Sequence, residues 1–145
     1  MKKIAAATLS MLVVLGCVST SQPGTGTTVP PVATQVPMGQ DFKLAAGQSG
    51  RVNGTPITVT FDSVEQDSRC PSDVKCVWAG DASLKLTLQS TAGSSLQVSL
   101  HTNLDPKAAD YAGYRIRVTR LAPTPRSGST VPAANYAVTL QVSQP

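Results

Sequence analysis

Aromatic residues are scarce in this chain: one Trp, three Tyr and two Phe among 145 residues. A core must therefore be built mainly from Val, Leu and Ile. The scarcity also argues against the sugar-binding cleft that paired carboxylates would need for glycoside hydrolysis. His101 is the only histidine, and a zinc site needs three or four ligands. Charge is thin, with 12 Lys and Arg against 8 Asp and Glu. That makes no case for nucleic acid, which calls for a clustered basic face. No apolar run approaches the roughly 20 residues of a membrane-spanning helix. No long segment has apolar residues at helical spacing, which removes an all-helical fold.

What is present begins at the N-terminus. Lys2 and Lys3 precede an apolar stretch from Ile4 to Leu15, and Gly16 is small. These are the three parts of a secretory signal over residues 1–16. Val14-Leu15-Gly16-Cys17 resembles the lipobox of bacterial lipoproteins, although Leu and then a small residue are commoner at the first two positions. The resemblance implies cleavage before Cys17 and acylation of its thiol and amine. Two or three acyl chains anchor stably where one is marginal. The implied location is the bacterial cell envelope. Val18 is not the Asp associated with inner-membrane retention, so a Gram-negative host would deliver the protein to its outer membrane. Removing Lys2 and Lys3 takes the formal charge from +4 to +2. An ordinary signal peptide beside a chance cysteine is the alternative.

With Cys17 lipidated, Cys70 and Cys76 remain. In an exported protein their expected state is a disulfide, with two free thiols as the alternative. The short loop predicts roughly 2 kcal/mol of stabilisation. Residues 17–40 read as the lipidated cysteine plus a Ser/Thr/Pro/Gly-rich tether, with no charge and no periodicity. Such a segment buries too little apolar surface to offset its ordering entropy. Gly24-Thr25-Gly26 is not a phosphate loop, because no strand precedes it and no helix follows. No cofactor motif is present.

Residues 41–145 read as one domain in which the period changes to two. Phe42 and Leu44 start a short strand. Ile57, Val59 and Phe61 alternate with polar residues, as do Leu84, Leu86 and Leu88, then Leu96, Val98 and Leu100. Tyr114, Ile116 and Val118 make another strand, and Tyr136, Val138, Leu140 and Val142 the last. Asn53-Gly54 predicts a type I′ hairpin turn. Asp105, Pro106 and Gly113 predict one short helical turn. Seven or so short strands with turn residues between them predict an all-β fold. It is a small antiparallel β-sandwich, Ig-like or related, with a partly open barrel as the alternative.

The densest chemistry lies in Asp67-Ser68-Arg69-Cys70-Pro71-Ser72-Asp73-Val74-Lys75-Cys76-Val77-Trp78-Ala79-Gly80. This run resembles a D-S-R-C-P-x-x-V-x-C-V-W-A-G pattern of small exported bacterial proteins, many of them lipoproteins. The resemblance extends from about Phe42 to Leu88 and implies no reaction. One reading is a stapled crossover, with Trp78 plugging the core and Arg69 paired to Asp67, Asp73 or Asp81. The other is a rigid loop offered to a partner through Arg69, Asp73, Lys75 and Trp78. Trp and Arg are favoured hot-spot residues, and preorganisation lowers the cost of binding.

Two further features invite a functional reading. His101 ends a strand on the face opposite the leucines, but no G-x-S-x-G elbow accompanies it. Arg115 and Arg117 share a face of one strand, with Lys85 expected nearby, and could protect an edge or meet an anionic partner. The leading expectation is a non-enzymatic envelope lipoprotein, membrane-bound through its lipid and partnered by another envelope protein. A protease inhibitor using the Cys70–Cys76 loop, with Arg69 or Lys75 filling an acidic pocket, is the second. A hydrolase built on His101 is the third.

Overall fold

The computed structural model describes residues 33–145, so the signal segment, Cys17 and the tether up to residue 32 lie outside the described residues. Nine strands follow one another: β1 Thr34–Val36, β2 Asp41–Ala45, β3 Ser49–Val52, β4 Ile57–Asp67, β5 Ala82–Ser90, β6 Ser95–His101, β7 Ala108–Tyr111, β8 Tyr114–Ala122 and β9 Ala137–Ser143. They form two sheets, ordered β1-β3-β4-β5-β6 and β2-β9-β8-β7. Every pairing is antiparallel except β1 with β3. The fold is a small β-sandwich, not a closed barrel.

Alternation places the core between the sheets. Ile57, Val59, Phe61, Leu84, Leu86 and Leu88 are fully buried on the first sheet, and face Ile116, Val138, Leu140 and Val142 on the second. Each such side chain contributes about 1.5–3 kcal/mol by leaving water. The period slips where the sheets bulge. β8 buries Ile116, Val118 and then Leu121, with a register shift between Val118 and Arg120. The extra residue leaves Thr119 and Arg120 both outside.

Four local readings are corrected. Thr34–Val36, read as tether, pairs with β3 and buries Val36, so the ordered domain starts before residue 41. In the Asn53-Gly54 turn only Gly54 has positive φ, which rules out type I′. No helical turn follows Asp105. Residues 108–111 are β7, and Ala112-Gly113, both at positive φ, form the tight turn into β8. The short helical turn lies instead at Ala133–Asn135, a single 3-10 turn. Leu96 is exposed, because β6 is a sheet edge and only its Leu100 end is fully covered.

No helix among the described residues is long and apolar enough to cross a membrane. Strand pairing fixes where the chain enters. β1 runs parallel to β3 and so opposite to β4, whose far end carries the Cys70–Cys76 loop. β1 begins at Thr34, level with Gly50 and so with Val59, in the half of β4 away from that loop.

Candidate functional site

The strands β4 and β5 leave the sandwich at Asp67 and re-enter it at Ala82. Between them the chain continues as an irregular ribbon: Ser68 N–H donates to the Asp81 carbonyl at 2.7 Å, and Cys70 N–H to that of Ala79 at 2.9 Å. The Cys70–Cys76 disulfide closes its tip, with Cα atoms 5.9 Å apart, within the ordinary range for a bridge. Gly80 makes the narrow crossing possible. Its φ is +66°, and a Cβ there would fall onto the Ser68 carbonyl.

Beneath the ribbon, Arg69 is bound on all sides. Its Nε and Nη2 donate to Asp67 at 2.8 and 2.7 Å, a two-pronged ion pair. Nη1 donates to the Leu121 carbonyl at 2.6 Å and Nη2 to that of Pro123 at 2.7 Å. The Tyr136 hydroxyl donates to the same carboxylate at 2.9 Å. Both charged side chains are only 10% exposed. Partial burial opposes ionisation of Asp67, but Arg69 and then Tyr136 outweigh it and hold the carboxyl below its usual range. Burial, helped by Asp67, raises the Tyr136 hydroxyl. Of the three partners open to Arg69, the structure selects Asp67. Arg69 is thereby removed from any contact surface, and it cannot enter a protease's acidic pocket without losing these bonds.

Asp73 is exposed but bonded to the neighbouring segment. Its Oδ1 accepts the Ser127 N–H at 2.9 Å, and Ser72 N–H reaches the Pro125 carbonyl at 2.9 Å. These bonds dock the stapled loop onto the proline-rich segment 123–132. On the other flank, Asp81 gathers the turn after β6. His101 Nδ1 lies 2.6 Å from Asp81 Oδ2, while Oδ1 accepts from Asn103 N–H, Leu104 N–H and the Thr102 hydroxyl at 2.8, 3.2 and 3.2 Å. Partial burial opposes the charge, yet His101 and the backbone donors prevail and lower the carboxyl from 3.8 to about 2.

The ribbon exposes large apolar side chains alongside Ser72, Asp73 and Lys75. Val77 is 89% exposed and Trp78 78% exposed. Trp78 therefore does not plug the core. Six large apolar side chains are exposed among the described residues; Val74, Val77 and Trp78 lie on the ribbon, and Leu104 on the turn bonded to its flank. Trp78 and Leu104 flank a shallow groove of about 390 Å³, floored by Ser68, Ala79 and Gly80. Lys75, between Val74 and Val77 in sequence, is also exposed. Among the described residues, no hydrogen bond engages the indole N–H.

No family model, curated protein or solved structure matches this chain. The site must stand on its geometry.

The other sequence candidates separate. Arg115 is paired with Asp110 across β7 and β8, at 2.8 Å for each of two bonds. Lys85 lies on the other sheet, 3.5 Å from Glu65, and so does not extend a basic face. Arg117 is exposed, with no ion pair among the described residues. Among the described residues, no three His, Cys, Asp or Glu side chains converge as a metal site would require. A second groove, about 370 Å³, opens between the end of β4 and residues 125–136. The Asp67 carboxylate at its base is already bonded to Arg69 and Tyr136.

Sequence reasoning missed Leu104, Asn103 and the Asp81–His101 pair. Asp81 and His101 are 20 residues apart, and meet because β5 and β6 pair with Ser83 opposite His101. Only a correct strand register would have brought them together.

Proposed function

We propose that this chain is a lipid-anchored protein of the bacterial cell envelope, and that its β-sandwich is a non-enzymatic interaction module whose contact surface is the stapled rim. One observation carries the reading: Val77 and Trp78 are almost fully exposed on a loop that is otherwise tied down. Exposing a large aromatic ring forgoes the stabilisation that its burial would bring. The ribbon beneath is held by the disulfide, the Arg69 ion pair and Asp73, so little ordering entropy remains to be lost on contact. The lipobox-like Val14–Cys17 supports the anchor.

The test uses the full-length protein in its native host. Wild type should sediment with membranes, and Cys17→Ser should be released in folded form. A photo-crosslinker at Lys75 should then yield adducts that one at Arg117 does not. Adducts from Arg117 alone would move the contact surface to the outer face of β8.

The His101–Asp81 contact favours a second reading, a hydrolase, because an orienting carboxylate is half of what a histidine base requires. Among the described residues, however, no hydroxyl bonds to Nε2, and Asp81 is committed to the turn after β6. An unchanged phenotype in His101→Ala would remove it.

A further inference from the structure

Resting on the lipid-anchored reading, we infer that the occupant of the stapled rim is the bilayer surface itself. Val74, Val77, Trp78 and Leu104 form a foot that enters the interface of the membrane holding the acyl chains.

Three observations favour lipid over a protein partner. The first is size. Four side chains offer apolar area on the order of a few hundred Å², below the roughly 800 Å² per partner of a stable protein interface. A membrane sets no such threshold once the protein is anchored, because the tether holds the tip at high effective concentration.

The second is where the chain outside the described residues joins the domain. Thr34 is level with Gly50 and, through it, with Val59 in the half of β4 away from the stapled loop, and the eight residues from Val59 to Asp67 span roughly 26 Å. Sixteen residues lie between Cys17 and Thr34, a reach of at most roughly 50 Å. That is long enough for an extended tether to run back past β4 and set the rim down on the bilayer.

The third is the chemistry of the tip. Trp78 presents an apolar ring with an N–H that no described residue engages, the combination that settles at a membrane–water boundary. Lys75, between Val74 and Val77, can lay its stem on the apolar surface and lift its charge to a phosphate. Asp73 is exposed, but its Oδ1 is tied to the Ser127 N–H on the neighbouring segment. Asp81 is held inside the turn.

Trp78 is the sole tryptophan, so the intrinsic fluorescence of the full chain reports this site alone. Full-length lipidated protein is reconstituted in phosphatidylethanolamine/phosphatidylglycerol vesicles, with and without bromine on the acyl chains. The expected result is a blue-shifted emission, with at least half of it quenched by brominated lipid. Val77→Ser/Leu104→Ser retains the reporter and alters only exposed positions; it should lose more than half of that quenching.

Failure has distinguishable forms. Protein that does not float with the vesicles defeats the anchor, and the foot with it. Protein that floats but shows no bromine quenching, with Trp78 open to acrylamide, keeps the anchor and overturns the foot. Protection from acrylamide that grows with protein concentration, without bromine quenching, overturns it in favour of a second copy of this chain.

Discussion

Along β4, β5 and β9 the apolar residues point inward and the polar ones outward, as burial demands. The segment Asp67–Asp81 inverts that order. Asp67, Arg69 and Asp81 are turned into the molecule and bonded there, Asp73 is bonded to Ser127 at the surface and Lys75 is exposed, while Val74, Val77 and Trp78 face solvent. Strands take their stability from apolar burial, with hydrogen bonds contributing modestly. The ribbon has no core of its own, and rests on ion pairing, backbone bonds and one disulfide. Its outer residues are therefore free of structural duty, and the two regions should respond oppositely to substitution.

The sharpest contrast within the ribbon is expected at Arg69. Arg69→Ala leaves Asp67 charged and largely buried, with only the Tyr136 hydroxyl and the backbone N–H of residue 69 as partners. Breaking a buried pair in this way costs about 3–5 kcal/mol. Urea unfolding should show the loss, and Asp67→Asn alongside it would separate the charge from the packing. A stability within 0.5 kcal/mol of wild type would mean that the clamp does not hold the ribbon. Gly80→Ala comes next, at about 3 kcal/mol, because positive φ and the Ser68 carbonyl both oppose a Cβ. Gly54→Ala supplies the control. Its φ is +72° but nothing lies within 4 Å of the added atom, so its cost should be about 1 kcal/mol.

The same inversion explains what could be read without the structure. Leu84, Leu86, Leu88, Val138, Leu140 and Val142 announce their strands because a two-residue period follows directly from burial on one face. The expected disulfide is present. Thr34–Val36 resembles a tether because one buried valine makes no period, and its parallel partner lies 16 residues onward. Gly113 reads equally well as a helix stop or a hairpin glycine, and only pairing with β8 decides. At the rim, the average habits of Trp and Arg mislead. Tryptophan is usually well buried and arginine usually exposed, and here each does the opposite.

Acid should weaken the ribbon's flank while sparing the core. The Asp81 carboxyl is depressed from 3.8 to about 2, so it binds protons less readily folded than unfolded. Its contribution is complete above pH 3.8 and is lost as pH falls through about 2. Asp67 is shifted in the same direction and adds to the loss. Hydrogen exchange should show the Asn103 and Leu104 amides losing protection across this window, while amides of β5 and β9 keep theirs. Asp81→Asn should flatten that change and lower stability at pH 7 by about 2 kcal/mol, the order expected for hydrogen bonds to a charged acceptor. A pH dependence unaltered in Asp81→Asn would assign the acid response to Asp67 instead.

The smallest expected effect is at Trp78. A tryptophan built into a core costs about 3–5 kcal/mol when cut to alanine. Trp78 is 78% exposed, and Trp78→Ala should shift the urea midpoint by less than 0.5 kcal/mol, as for an ordinary surface position. Val77→Ser should do the same. These near-silent substitutions carry as much weight as the damaging ones, because they separate a surface that is merely supported from one that supports. If Trp78→Ala costs 3 kcal/mol, the ring belongs to the fold and the rim loses its claim as a contact surface. If it costs nothing while Arg69→Ala unfolds the ribbon, the clamp exists to hold in place a ring that the fold does not need.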